Sequence, residues 1–202
     1  MLLDFADLTP LERYRWLAST VTPRPIAWVS TLSRDGVANL APFSFFQVIS
    51  DDPATLMVNV GTRDDGSFKD TLRNVQDNGE LVIQLVSFAQ AEAMNASAAI
   101  LPHEVSEFER CAIAQLASER IAPPRVAGAA IAYECRLAEL LPYPRQAPTC
   151  HLIFAEVLLA HVDDAVLTDK GRVDPHKLDL VGRLGGMAYS RTRDTFELQR
   201  PS

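Results

Sequence analysis

The sequence predicts a mainly β protein, an antiparallel barrel with α-helices at its periphery. Three observations lead there. β-rich runs follow one another at hairpin spacing, Asp35-Gly36 punctuates the first two, and strands and helices do not alternate regularly. The chain has 202 residues, 48% hydrophobic and 22% charged, which suits one domain with a sizeable core. The expected organisation is a single domain over 1–202, with the barrel in 20–162 and a C-terminal extension in 163–202.

Each element has its own signal. An opening helix is expected at about 9–18. PRPIAWVSTLSRDGVANLAPFSFFQVIS then holds two β-rich runs, and Asp51-Asp52-Pro53 supplies a turn before the strand ATLMVNV. A short helix follows, then the strand ELVIQLVS (80–87) and an Ala-rich helical patch at roughly 88–99. Residues 102–128 read as loop and short helix, because Pro123-Pro124 forbids regular structure there. Two long strands, 129–140 and 149–162, flank PYPRQAP, and a turn-rich tail runs from Asp163.

Composition excludes several classes. A formal charge of −7 argues against wrapping a nucleic-acid backbone, which needs a basic face. No apolar run is long enough to span a membrane, and MLLDFADLTPLERYRW places acids where a signal peptide needs Lys or Arg. A cytoplasmic protein is expected. Cys111, Cys135 and Cys150 are odd in number and far apart, and the four histidines form no helical ligand pair, so neither a metal site nor a disulfide scaffold is predicted.

GTRDDGSFKDTLRNVQDNGE (61–80) carries the most chemistry. Ser67 is a good N-cap, and Asp70 three positions on makes a variant capping box. Phe68, Leu72 and Val75 fall on one stripe, and Gly79 suits a left-handed C-cap. Lys69 then sits in the first turn, where the helix dipole disfavours cations, with Arg73 one turn along. An anion would reconcile them: the Ser67 and Thr71 hydroxyls, free backbone N–H groups and the Lys69 ammonium could converge on a phosphate. The competing explanation is that Asp64, Asp65 and Asp70 neutralise Lys69. The segment is not a Walker A loop, since Ser67 follows Gly66 where lysine is required, and no GxGxxG occurs.

Taken together, PRPIAWVST, NLAPFSFF and the triplet Lys69-Asp70-Thr71 resemble the flavin reductase-like family, and within it the flavoredoxin-type proteins. The resemblance spans about 20–198, including the tail RVDPHKLDLVGRLGGMAYSRTRDTFEL. It implies a six-stranded antiparallel Greek-key split barrel, a homodimer, and FMN near the subunit interface. It implies further that Ser67, Lys69, Thr71, Ser30 and Thr31 hold the FMN phosphate. Asn39, Ala41, Ser44, Phe45 and Phe46 would stand near the isoalloxazine, largely through main-chain groups, although Phe43, Phe45 and Phe46 also alternate as barrel core would. Arg24 and Arg63 are candidates for the phosphate or the N1/O2 edge, with surface salt bridges as the alternative for both.

Family members that use NADH often carry Gly-Asp-His at the start of the strand matching CHLIFAEV. Thr149-Cys150-His151 keeps only the histidine, which the resemblance places near nicotinamide and flavin as the candidate catalytic residue. On strand parity His151 and His161 share a face with Ile153, Ala155, Val157 and Leu159. Cys150 lacks an activating pattern and is not a candidate nucleophile. The expected function is NAD(P)H-dependent flavin reductase chemistry, with hydride passing through flavin N5 and NADH or NADPH as donor. The alternatives are a flavoredoxin-type electron carrier with an electron-accepting partner protein, and a non-catalytic flavin-binding module. The loop 102–128 and the tail are expected to cover the ring, with Gly182, Gly185 and Gly186 allowing close backbone approach.

Overall fold

A computed structural model describes residues 1–201. The opening helix, α1 (Pro10–Thr20), begins where its sequence asks: Thr9 and Glu12 form a reciprocal capping box, with Pro10 at the first helical position. Strands β1 (Ala27–Leu32) and β2 (Ala38–Phe43) form the predicted hairpin, turned by Gly36 at φ +82°. Next come β3 (Phe46–Asp51), β4 (Ala54–Gly61), α2 (Asp70–Asn78) and β5 (Glu80–Leu85). The segment after β5 holds α3 (Ala91–Ala96), α4 (Glu107–Arg110) and the two-residue strands β6 (Gln115–Leu116) and β7 (Arg125–Val126). The long strands β8 (Ile131–Tyr143) and β9 (Cys150–Val162) precede α5 (Pro175–Leu178) and the small hairpin β10 (Val181–Arg183) and β11 (Tyr189–Arg191).

The main sheet is antiparallel throughout, in the order β2-β1-β5-β8-β9-β4-β3. Its first and last strands, β2 and β3, are consecutive in the chain and separated only by Ser44 and Phe45. The sheet therefore closes on itself through that corner, and the Asn59 N–H donates to the Phe45 carbonyl across it at 2.8 Å. Six strands were expected; seven are present because the run Ala38–Asp51 bends at Ser44–Phe45 and counts twice. Helix α2 spans the crossover from β4 to β5 and buries Leu72 and Val75 among Val29, Val58, Ile83 and Ile153 inside the barrel. A second core, around Trp28, Leu40, Met94 and Phe108, lies on the outer face of β1 and β2 beneath α3 and α4.

Two local expectations need correction. Helix α2 starts at Asp70 with Lys69 as an N-cap that makes no side-chain cap bond, so Ser67 does not cap it. The chain closes an earlier turn instead: the Arg63 N–H donates to the Ser67 carbonyl at 2.9 Å, and the Ser67 N–H to Asp65 Oδ1 at 2.8 Å. Phe68 consequently leaves the helical stripe, is 39% exposed, and packs edge-on against His151 at 5.2 Å between ring centroids. The second concerns the histidines. The pairing of β8 with β9 shifts between Glu134 and Cys135, whose partners are Leu159 and Val157. That bulge reverses parity, so His151 faces the barrel interior with Ile153 and Ala155 while His161 lies on the opposite face against Glu134.

The tail packs on the turn after α1, through paired Arg24 and Arg183 main chains. A Cβ on Gly182 would lie 2.8 Å from Pro23 Cβ, and one on Gly185 2.5 Å from Ser19 Oγ, so both positions demand glycine.

Candidate functional site

A cleft of about 570 Å3 runs along the edge of β2, bounded by the 62–65 loop, the start of α2 and the segment 97–101. Asn39, Ala41, Arg63, Lys69 and Thr71 all line it, as do Phe43, Asp70 and Glu107. Five predicted residues from three separate stretches of chain thus share one wall.

The charges at the mouth sort themselves in a definite way. Asp70, buried at the first position of α2, accepts from Arg63 Nη2 at 2.6 Å and pairs with His103 Nδ1 at 2.8 Å and Arg73 Nη1 at 3.5 Å. Asp65 holds the Ser67 N–H, and the Ser67 contacts keep its carboxyl below the usual range. No described carboxylate forms a salt bridge with Lys69. Its ammonium sits 5.6 Å from the Phe43 ring centroid, and burial, followed by the nearby Arg63 charge, pushes its pKa down against the opposing pull of Asp64. Among the described residues the aspartates make no salt bridge to Lys69, although the charge of Asp64 acts on it. Asp70 serves the two arginines, and the lysine is left facing the cleft.

Thr71 is prepared for the same task. Asn39 Nδ2 donates to Thr71 Oγ1 at 3.0 Å, so the hydroxyl accepts there and keeps its own proton to donate. The same amide reaches Thr31 Oγ1 at 3.3 Å, and Asn74 Nδ2 donates to that oxygen at 3.0 Å. Thr31 thus stands behind the cleft wall and braces it. The Lys69 ammonium, the Thr71 hydroxyl and the start of α2, where no side chain caps the helix, thus lie side by side on the cleft wall.

Other predicted residues lie elsewhere. Ser30 is on the opposite face of β1, donating to the Pro124 carbonyl. Arg24 is buried, and its guanidinium donates to the carbonyls of Ala18, Val21 and Leu184. Replacement of Arg24 by Met is expected to cost about 2 kcal/mol through those carbonyls, lowering Tm by roughly 4–8 °C. Flavin affinity should stay within twofold, and thermal melts with parallel flavin titrations check both. Ser44, Phe45 and Phe46 form the β2–β3 corner: Phe46 enters the core, whereas Phe45 is 38% exposed beside Tyr14. Ser67 is half-buried in its turn. His151 is 6% exposed, its Nδ1 has no partner, and burial holds its pKa below the ordinary value. The tail does not line this cleft; Ser97–Leu101 and Glu107 do.

Asn74, His103 and Glu107 were missed in the sequence. Helical spacing places Asn74 one turn after Thr71 and could have found it. His103 and Glu107 arrive from a distant loop with no local signal.

The model of the flavin reductase like domain matches residues 19–179. This chain belongs to the flavin reductase-like family. The structure of nitrilotriacetate monooxygenase component B from Bacillus cereus is similar at a TM-score of 0.93 and 32% identity, covering 98% of each chain. That of 2-nitrobenzoate 2-nitroreductase NbaA from Pseudomonas fluorescens is similar at 0.89 and 28% identity, over 100% of this chain and 97% of that one. Flavoredoxin of Desulfovibrio vulgaris (Miyazaki F) shares the fold, with a TM-score of 0.76 at 18% identity over 100% of this chain and 97% of that one. The family is one of flavin-binding oxidoreductases, and the closed antiparallel barrel of this member is its split barrel. No helix among the described residues is long and apolar enough to cross a membrane.

Proposed function

We propose that this flavin reductase-like protein binds FMN and uses it for NAD(P)H-dependent flavin reductase chemistry. The observation that carries the proposal is the unpaired Lys69 ammonium beside the Thr71 hydroxyl at the uncapped start of α2. Lys69, Thr71 and the first N–H groups of α2 would hold the phosphate, with Asn39 and Thr31 fixing the Thr71 rotamer. Ala41, Pro42 and Phe43 would supply an apolar wall for the ring. Pro42 has no N–H to offer a competing strand, which keeps this edge of β2 open to a ligand.

The chemistry that FMN supplies when bound is acceptance of a hydride at N5. Little acid–base work falls to the protein, whose part is to position donor and acceptor. His151 is the candidate for that part: buried on the interior face of β9, it is neutral near pH 7 because burial disfavours its charged form, and its Nδ1 is free to accept or donate. Phe68 fixes the ring plane. The exposed apolar side chains Tyr14, Phe45, Val48 and Ile49 support a homodimer through the face that carries the β2–β3 corner.

A visible absorption spectrum of protein reconstituted with FMN, followed by anaerobic titration with NADH and NADPH, tests the reading. Bound yellow flavin bleached by either nicotinamide is expected. Turnover that scales with added free FMN identifies an exchanging substrate, and turnover independent of it a resident cofactor. Protein that retains no flavin after reconstitution overturns the proposal. Bound flavin that neither nicotinamide reduces leaves the electron-carrier alternative in its place.

A further inference from the structure

One wall of the cleft is fastened at its two ends and at a single point between them. At one end Ser97 Oγ accepts Trp28 Nε1 at 2.9 Å and donates to the Met94 carbonyl at 2.8 Å. At the other, Ser106 Oγ donates to the Ala38 carbonyl, and Glu107 Oε2 accepts the Leu40 N–H at 2.8 Å. None of the side chains of 98–105, the strap between these ends, is buried, and Ile100 on the cleft wall is 88% exposed. The main-chain bonds of the strap stay local: Ala98 and Ala99 donate back to Asn95 and Ala96, and Val105 to Pro102. Among the described residues, one side-chain bond carries the strap to the rest of the site. His103 Nδ1 lies 2.8 Å from Asp70 Oδ1, and since a carboxylate accepts, the ring nitrogen donates. The second oxygen of Asp70 accepts Arg63 Nη2 at 2.6 Å, from the loop that bounds the cleft on another side.

We infer that His103 is a positioning residue, which fastens the strap 98–105 to Asp70 and so sets how fast the cleft releases a bound flavin. The inference rests on the FMN reading above. A segment with no buried side chain and only local main-chain bonds opens at little cost, so its one outside bond decides how long it stays closed. That bond runs to a carboxylate, which makes it stronger than a bond between neutral groups. Asp70 holds its position whether or not the strap is closed, because it is buried at the start of α2 and paired with Arg63 and Arg73. A flavin lying between the strap and the 62–65 loop leaves when the strap opens, and opening breaks the His103–Asp70 bond. Ile100, exposed at the cleft, gains cover from the ligand while the strap is closed.

The test measures dissociation rates of FMN and riboflavin from wild type, His103→Ala and His103→Asn, with amide hydrogen exchange of the flavin-free proteins alongside. His103→Ala is expected to release both flavins roughly tenfold faster, the worth of one hydrogen bond to a charged group, and to speed exchange across 98–105. Its Tm should barely move, because the His103 side chain is 34% exposed. His103→Asn places an amide Nδ2 where the ring carries Nδ1, and should restore slow release and slow exchange together. Unchanged release or unchanged exchange in His103→Ala overturns the inference, as does a His103→Asn that behaves like His103→Ala. Faster release of FMN with riboflavin unaffected also overturns it, since His103 would then act on the phosphate and not on the strap. Wild type that retains neither flavin is a different failure: it removes the FMN reading, and this inference with it.

Discussion

Lys69→Ala is expected to weaken FMN binding by about 10- to 100-fold, the worth of one charge-assisted contact to a phosphate. The same change should leave Tm unchanged or slightly raised. Among the described residues the Lys69 side chain has no hydrogen-bond or salt-bridge partner, and a cation at a helix N-terminus is mildly unfavourable. This combination separates a ligand role from a structural one. Riboflavin, which lacks the phosphate, should bind wild type and Lys69→Ala with nearly equal affinity. Fluorescence titrations with both flavins and thermal melts of both proteins make the measurement. An FMN affinity within twofold of wild type would falsify the assignment of Lys69 to the phosphate.

The largest effect on stability is expected at Glu134. This carboxylate has no exposed surface, and on the outer face of β8 it accepts the N–H groups of Glu119 and Arg120 at 2.7 and 2.8 Å and His161 Nε2 at 2.6 Å. It ties the 118–122 loop to the barrel. Glu134→Ala strands two N–H groups and a histidine, and is expected to cost about 3 kcal/mol. Burial alone would raise the Glu134 pKa, but the Glu119 N–H, His161 and the Arg120 N–H outweigh it, and the folded-state value lies below the ordinary one. A depressed folded pKa means the contribution is fully present above the unfolded value of about 4.3 and is lost as pH falls through the folded value. Urea unfolding from pH 7 down to pH 3 should therefore show the wild type losing stability faster than Glu134→Ala. Equal slopes would show that this carboxylate is not responsible.

Much of the site was legible because its logic is local. Lys69 and Thr71 sit within three residues of each other on a segment whose C-cap, Gly79 at φ +72°, was also readable. The cation at a helix start that the sequence shows is still there once that start is placed at Asp70. Arg24 was misleading because an arginine between two prolines looks the same in sequence whether it meets a phosphate or three carbonyls. Ser30 and Thr31 were expected to act together, yet neighbours on a strand face opposite ways: Thr31 joins the Asn39–Thr71 network while Ser30 meets Pro124.

Alternation of β-rich runs and turns, the capped α1 and the shortage of strand–helix repeats were sufficient for an antiparallel barrel, because periodicity and turn chemistry act over a few residues. Which carboxylate pairs with which cation was settled only by the folded chain. Asp70 lies next to Lys69 in sequence but is claimed by Arg63, Arg73 and His103, and Glu107 reaches the cleft from some 36 residues beyond Thr71. The bulge in β9 likewise sent His151 and His161 to opposite faces. Charge pairing and strand register depend on distances between residues far apart along the chain, and those distances exist only once the barrel has closed.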